Sequence, residues 1–256
     1  MNSFSGFLRG VDIPLNQVDE RLIIEYEQWL RSRKVSRNSS SFYMRTLRSA
    51  YNKVISTRRL EQTYPFQSVY TGVERTRKRA VHEDIMVRLQ KLDLTRSAPL
   101  AFSRDLFIFS YCTRGMAFVD IAYLKKENIS GGMLSYVRHK TGQRLTVRIE
   151  PPIGEIIKHY EPYVRNSAYL FPIITSNDPE EAYRQYQTAL GYHNRKLKKL
   201  GKLTGENLRL SSYTARHSWA TVARNHNVPL SIISAGMGHT SEKNTLIYLE
   251  SVENSL

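Results

Sequence analysis

The chain has 256 residues, more than one compact domain usually needs, so two domains are the first expectation. With 41% hydrophobic residues, 16 tyrosines and 9 phenylalanines, it can build a core, which excludes an intrinsically disordered chain. Lysine and arginine total 38 against 23 acidic residues, a formal net charge of +15. Such an excess favours a polyanionic partner, above all nucleic acid, over a role in solubility alone.

The cysteine content and the apolar segments exclude further classes of protein. Cys112 is the only cysteine, so neither a disulfide framework nor a cysteine-based zinc site is possible. No apolar run approaches the roughly 20 residues of a membrane span, and the N-terminus lacks the apolar core of a signal peptide. We therefore expect a cytoplasmic protein.

The first part of the chain predicts two amphipathic helices. Apolar residues recur at helical spacing within residues 15–31, and the polar residues 36–41 offer N-caps for a second helix. The predicted apolar stripe of that second helix consists of Phe42, Tyr43, Leu47, Tyr51, Val54 and Ile55. Its other faces are basic, and Arg45, Arg48 and Lys53 are candidates for binding a polyanion.

A basic run, ERTRKR at residues 74–79, follows these helices and predicts a linker. Alone, such a run is more often a solvated connector than a binding segment. Between two domains of a basic protein, a binding segment is the better interpretation. The candidate binding residues in this run are Arg77, Lys78 and Arg79. We therefore predict a helical domain at 1–73, a linker at 74–80 and a second domain at 81–256.

The second domain is predicted to be mainly α with a small antiparallel β-sheet. Residues 100–111 are apolar on nearly every side, which predicts a buried core helix, and residues 115–124 also have a helical pattern. Residues 133–149 alternate in polarity around Thr141, Gly142 and Gln143, which predicts a β-hairpin. The helical period then returns at 180–200, 213–225, 230–235 and 242–249.

Three short segments carry the candidate chemistry. They are YVRHKTGQ at the hairpin (residues 136–143), SYTARHSWAT at a helix start (residues 212–221) and GMGHTSEKNTLIY (residues 236–248). In this order and at these separations they resemble the catalytic domain of the tyrosine recombinase and phage integrase family. The resemblance covers roughly residues 81–250, and the first eighty residues resemble only part of the family's helical core-binding domain. The segment RGMAFVD (residues 114–120) resembles a subgroup from bacterial mobile elements and invertible DNA segments.

The resemblance implies a site-specific recombinase that cleaves and rejoins DNA through a 3′-phosphotyrosine intermediate, without a metal or nucleotide cofactor. It also implies a two-domain clamp around double-stranded DNA and a homotetramer on two target sites, associated with a bacterial nucleoid. Two alternatives remain open at this point. A type IB topoisomerase uses the same chemistry, and a recombinase-derived DNA-binding regulator could have lost its activity.

The residue types fit this chemistry. A tyrosine phenol can hold a phosphate as a covalent ester, but its pKa near 10 requires surrounding positive charge for activation. Tyr248 is the predicted nucleophile, and Arg216 is the predicted clamp for the phosphate oxygens. Lys140 is predicted to protonate the leaving 5′-oxygen, and His239 to donate to a phosphate oxygen. Each residue alone has an ordinary structural interpretation, and their combination favours the catalytic one.

The sequence departs from the family at two catalytic positions. Ala117 stands where the family has a second arginine. Arg114 lies three residues earlier, about one helical turn away. Arg138 lies two residues before Lys140, so on a strand both side chains would share a face, roughly 7 Å apart. We favour Arg138 slightly and keep both. Tyr213 replaces a histidine of the family, and a phenol is a poor general base near pH 7.

Overall fold

The computed structural model describes residues 2–74, 80–205 and 208–249, and for residues 2, 247 and 248 it describes the backbone only. The chain divides into two compact units, residues 1–76 and 77–256. As predicted, the fold is mainly α with a small antiparallel sheet. Within the described residues, no helix is both long and apolar enough to span a membrane.

The N-terminal unit is built from helices α1 (Asn2–Phe7), α2 (Glu20–Ser32) and α3 (Arg37–Arg58). Helix α3 begins at the predicted polar stretch, whereas the cap of α2 was not singled out from the sequence. The Asp19 carboxylate accepts the backbone N–H of Leu22 at 2.8 Å, and the Ser36 hydroxyl accepts that of Ser39 at 3.3 Å. These side chains satisfy N–H groups that the first turn of a helix leaves unpaired.

The core of this unit lies between α2, α3 and the segment that follows α3. Its buried members are Ile23, Tyr26, Leu30, Met44, Tyr51, Ile55, Phe66 and Val69. Helix α1, which the sequence did not predict, covers one side of this core. Phe4 and Phe7 pack against Tyr26 with ring centroids 5.0 and 5.3 Å away, and the Tyr26 hydroxyl donates to Ser3.

The predicted apolar stripe of α3 is only partly correct. Tyr51 and Ile55 are buried, but Phe42 is 57% exposed and Val54 is 36% exposed. Ser41 is fully buried instead, and its hydroxyl donates to the Gly72 carbonyl. The polar Ser41 can occupy a buried position because the Gly72 carbonyl, distant in sequence, accepts the hydrogen bond of its hydroxyl.

The second unit contains the remaining elements. Its helices are α4 (Glu83–Lys91), α5 (Ala98–Cys112), α6 (Phe118–Ala122), α7 (Pro151–Tyr160), α8 (Pro179–Leu203), α9 (Ser212–Asn225), α10 (Leu230–Met237) and α11 (Glu242–Leu249). Its strands β1 (Ile129–Ser130), β2 (Met133–Val137) and β3 (Arg144–Arg148) form an antiparallel sheet in that order. The hairpin register runs from Met133 opposite Arg148 to Val137 opposite Arg144.

Helix α5 is the central element of this unit, as its apolar sequence predicted. Phe109 packs in a cluster with residues of the sheet and of α6–α8, while Phe107 packs in a second cluster with α4, α8 and α9. The helix predicted at 115–124 is shorter than expected. Arg114 and Gly115 both adopt left-handed conformations (φ 61° and 74°), so they separate α5 from α6.

Candidate active site

Arg216 lies near the start of α9, where Ser211 fixes the first turn. The Ser211 backbone N–H donates to the Thr214 hydroxyl at 3.0 Å. The Arg216 side chain is buried (2% exposed), a position in which a charged group requires hydrogen-bond partners. It donates from Nη1 to the Gly115 carbonyl at 2.8 Å and from Nη2 to the Met237 carbonyl at 2.6 Å. Neutral carbonyls orient the guanidinium without cancelling its charge, which suits a clamp for an anion.

Gly115 is required by its close approach to Arg216. Its φ of +74° lies in the left-handed region that favours glycine. A Cβ atom at this position would lie 2.6 Å from the Cα of Arg216, which no real packing allows. The link between α5 and α6 therefore packs directly on α9 at the buried arginine.

Arg138 lies at the start of the turn between β2 and β3. The turn is closed by hydrogen bonds from the Arg138 N–H to the Gln143 carbonyl at 2.9 Å and from the Gly142 N–H to the Arg138 carbonyl at 2.8 Å. The side chain is buried, and its Nη1 donates to the Gly238 carbonyl. Among the described residues, nothing accepts a hydrogen bond from its buried Nε.

Lys140 lies in the same turn, with an exposed side chain. Because β2 ends at Val137, neither Arg138 nor Lys140 belongs to a strand, and the predicted shared strand face does not exist. The left-handed conformation of Gly142 (φ 67°) lets the chain reverse within residues 138–143. The Arg138 side chain consequently reaches the interior, whereas Lys140 remains at the surface.

Asp120 on α6 holds this turn in place. Its carboxylate is buried and accepts the backbone N–H of His139 at 2.9 Å. Burial raises the pKa of Asp120, and this hydrogen bond together with the charges of Arg138 and Arg216 acts in the opposite direction. The His139 ring packs on Tyr123 with centroids 4.5 Å apart. Helix α6 thereby fixes the hairpin turn relative to the buried arginines.

His239 comes directly after the glycine that ends α10. Its Nε2 lies 3.1 Å from Arg216 Nη2, and its Nδ1 lies 2.8 Å from the Thr245 hydroxyl. Burial lowers the pKa of the imidazole to about 4, with further contributions from the charges of Arg216, Arg138 and Lys140. The ring is therefore neutral near pH 7 until an anion balances the surrounding cations.

Helix α11 carries the predicted nucleophile. Tyr248 is the penultimate residue of this helix, and its side chain lies outside what the structure describes. Thr245 and Leu249 are buried (0% and 5% exposed), and the helix packs against α9 and α10. Because Thr245 contacts His239, the helix of Tyr248 is attached to the Arg216–His239 cluster.

Arg114 and Tyr213, the other predicted catalytic residues, have exposed side chains. Arg114 follows α5 in a left-handed conformation and Ala117 precedes α6, so the predicted separation of one helical turn does not apply. The Arg114 side chain lies beside α10, since a Cβ at Gly236 would be 3.3 Å from its Cδ. Tyr213 is 46% exposed, and its ring lies 5.7 Å from the ring of His217.

The predicted binding residues of the N-terminal unit lie on α3. Arg45 and Lys53 line a shallow groove together with the exposed ring of Phe42. Arg48 donates to the Thr71 hydroxyl at 3.3 Å. The predicted binding residues outside the described part of the chain are Arg77, Lys78 and Arg79.

The cluster around Arg216 combines guanidinium and imidazole groups, a set that suits a phosphodiester. Within residues 2–74, 80–205 and 208–249, no group of three His, Cys, Asp or Glu side chains could hold a metal ion.

Comparison with protein-family models gives two matches. The model of the phage integrase SAM-like domain matches residues 1–69, and the model of the phage integrase family matches residues 79–254. The chain belongs to the phage integrase family. It is a tyrosine site-specific recombinase, as the sequence predicted, and no comparison favours a topoisomerase or an inactive regulator. A search of curated proteins gave no match.

The fold of this integrase resembles solved structures of recombinases. A lambda integrase dimer bound to a COC′ core site has a TM-score of 0.74 at 15% identity, covering 100% of this chain and 88% of that chain. A lambda integrase tetramer bound to a Holliday junction gives 0.73 at 15%, covering 100% and 72%. The Tn1549 transposon integrase in complex with a circular intermediate DNA gives 0.67 at 13%, covering 94% and 86%. At these identities the likeness concerns the fold.

Several contacts of the integrase site were not predicted from the sequence. Arg216 is oriented by the Met237 carbonyl, and His239 by the Thr245 hydroxyl. The Asp120 carboxylate accepts the His139 N–H and so holds the turn that carries Arg138 and Lys140. Of Met237, Asp120 and Thr245, only Thr245 could have been identified from the sequence, because it lies three residues before Tyr248 in a helical segment. Residues at this spacing share a helix face.

Proposed function

We propose that this recombinase cleaves DNA through Tyr248 and holds the cut strand as a 3′-phosphotyrosine until it is rejoined. The observation that carries this proposal is the cluster of Arg216, Arg138 and His239 beside the helix that contains Tyr248. Phosphoryl transfer depends mainly on positioning and on neutralisation of the phosphate charge. The cluster supplies both.

In the proposed step, the Tyr248 oxygen attacks phosphorus and the bond from phosphorus to the 5′-oxygen breaks. Lys140 gives its proton to the departing 5′-oxygen, and the phenol proton passes to solvent. Arg216 and His239 bind non-bridging oxygens of the phosphate. Rejoining runs through the same steps in reverse. We assign no proton-abstracting role to Tyr213, because a neutral phenol is a poor general base near pH 7.

We assign the role of the arginine missing at Ala117 to Arg138. The Arg138 side chain is buried and donates to the carbonyl of Gly238, the residue before His239. Its charge contributes to the low pKa of the His239 imidazole. Its unsatisfied Nε offers a further donor to an anion. Arg114 is exposed and lies beside α10, so it is the weaker candidate.

We further propose that double-stranded DNA with specific target sites is the partner, bound by a homotetramer on two sites. The net charge of +15 and the solved lambda integrase tetramer on a Holliday junction support this. Residues 1–73 would be the core-binding domain, residues 74–80 a DNA-contacting linker and residues 81–256 the catalytic domain. The basic face of α3, with Arg45, Arg48 and Lys53, would contact the DNA backbone.

A covalent trapping experiment tests this function. Duplexes selected by the wild-type protein from a random-sequence pool are nicked at successive positions, so that cleavage next to a nick releases a short fragment and leaves the protein attached. Tyr248→Phe should bind the selected DNA normally and form no covalent complex, while Tyr192→Phe, an exposed control on α8, should trap DNA as wild type does. Trapping by Tyr248→Phe at the wild-type level would falsify the assignment.

The same assay tests the cofactor expectation. Because Arg216, Arg138 and His239 are proposed to stabilise the phosphate and Lys140 to protonate the leaving oxygen, covalent attachment should proceed at an undiminished rate in excess EDTA. A strict Mg²⁺ requirement for the attachment step contradicts this mechanism.

A further inference from the structure

The imidazole of His239 is held from both sides. Its Nε2 lies 3.1 Å from Arg216 Nη2, and its Nδ1 lies 2.8 Å from the hydroxyl of Thr245. A guanidinium has donors and no acceptor, so Nε2 must accept this hydrogen bond and cannot carry a proton. In the neutral ring the proton is therefore on Nδ1, from which it is donated to Thr245.

The position of Thr245 makes it suited to fix this arrangement. The residue is fully buried on α11, where its hydroxyl is shielded from water and its hydrogen bond is correspondingly stronger. It also precedes Tyr248 by three residues, about one turn of the same helix. A single helical turn therefore contains both the partner of His239 and the proposed nucleophile.

We propose that Thr245 is a positioning residue of the recombinase site, which holds the His239 proton on Nδ1 so that Nε2 faces Arg216 and the incoming phosphate. This inference rests on the proposed function, because it assigns His239 to the phosphate. With Nδ1 already protonated and bonded, an added proton can enter only at Nε2. The imidazolium then donates from Nε2 to a phosphate oxygen without turning the ring.

The positive charges around His239 make protonation of its imidazole depend on bound DNA. Burial lowers the pKa of His239 most, and the charges of Arg216, Arg138 and Lys140 lower it further, so that the ring is neutral near pH 7 in the DNA-free protein. A bound phosphodiester opposes these charges and favours the imidazolium. Thr245 contributes at both stages, since its hydroxyl accepts from Nδ1 whether Nε2 is protonated or not.

Three variants separate this role from a general structural one. Thr245→Val keeps the shape of the side chain and removes the hydroxyl, and Thr245→Ser restores the hydroxyl. Thr204→Val is the matched control, because Thr204 is also buried and donates to the Gly201 carbonyl at the end of α8. Thr245→Val should slow covalent trapping of selected, nicked DNA by about tenfold or more, on the scale of one lost hydrogen bond. Thr245→Ser and Thr204→Val should remain within about threefold of wild type on the same scale.

A second readout requires no DNA. In the ¹⁵N spectrum of the free protein, with the His239 signal assigned by its loss in His239→Gln, wild type should show the Nδ1–H tautomer. Thr245→Val should shift that signal towards a mixture of tautomers, and Thr245→Ser should not. Wild-type trapping by Thr245→Val, or an Nε2–H signal in wild type, overturns the inference. If wild type traps no DNA while the tautomers behave as expected, the proposed function fails instead.

Discussion

Two cations of the proposed site, Arg216 and Lys140, stand in opposite environments. Arg216 is 2% exposed and is oriented by carbonyls from two separate segments of the chain. Lys140 is exposed in a hairpin turn that is anchored through the neighbouring His139 N–H. Donors that are fixed before DNA binds need no reorganisation during the reaction. An exposed ammonium retains its hydration and can approach the leaving oxygen as DNA binds. We infer that Arg216 stabilises the charge of the phosphate and that Lys140 transfers a proton to the leaving oxygen.

The largest effect is expected for Arg216→Lys. Lysine keeps the positive charge but lacks the planar fork that reaches the Gly115 and Met237 carbonyls and the phosphate. Covalent trapping should slow by about 10³-fold, the upper range for loss of a fixed donor. The matched control is Arg148→Lys on β3, which is exposed and should trap DNA normally. A near wild-type rate for Arg216→Lys would mean that charge alone suffices.

Lys140→Ala should reduce trapping by about 10²-fold, the lower range for loss of a general acid. This loss should be reversed when the 5′-oxygen at the cleavage site is replaced by sulfur, because a thiolate leaves without a proton. Arg144→Ala, an exposed control in the same hairpin, should act like wild type on both substrates.

Sulfur substitution should not rescue Arg216→Lys, since that variant keeps its charge and the proton donor Lys140 but loses the fixed planar donors to the non-bridging oxygens. Equal rescue of both variants, or of neither, would remove the distinction between the buried and the exposed cation.

Arg138→Ala and Arg114→Ala test which arginine replaces the one missing at Ala117. Arg138→Ala should slow trapping by about 10²-fold, comparable to loss of one fixed donor, while leaving DNA affinity largely intact. Arg114→Ala should affect cleavage less and lower the free energy of unfolding, because its side chain packs beside α10. Rates on one nicked substrate and thermal unfolding of both variants decide the matter. An active Arg138→Ala with an inactive Arg114→Ala would reverse the assignment.

The elements with a clear periodicity could be predicted from the sequence. The bounds of α11 agree with the predicted segment 242–249, and α9 differs from its prediction by one residue at its start. The hairpin was also expected, because alternating residues flank a Gly142 turn. Residues 216 and 239 were selected by motif order, and the structure places their side chains 3.1 Å apart.

Features that depend on tertiary contacts could not be predicted. The close packing of Gly115 on Arg216 joins residues 101 apart in the chain, which no local pattern encodes. The separation of Arg138 from Lys140 depends on where β2 ends, and element boundaries are the least certain part of a sequence-based assignment. Ser41 is buried on α3 because residue 72 supplies an acceptor, and hydropathy alone favours Phe42 for that face.

The smallest expected effect concerns exposed cations that act only by counterion release. Arg45 and Lys53 lie on the exposed groove of α3, so their neutralisation should weaken DNA binding without changing the trapping rate at saturating DNA. In Arg45→Gln/Lys53→Gln, the slope of log K against log salt should fall by about 1.8, at roughly 0.9 for each lost phosphate contact. Neutralising Arg77, Lys78 and Arg79 together should lower the slope further.

Arg21→Gln is the control, because Arg21 is paired with Glu25 on α2 and its charge is already balanced. Arg216→Lys should leave the slope unchanged, since it keeps its charge and loses only geometry. A slope that falls in Arg216→Lys and stays constant in the α3 variant would show that the buried arginine, and not the exposed face, supplies the salt-dependent contact.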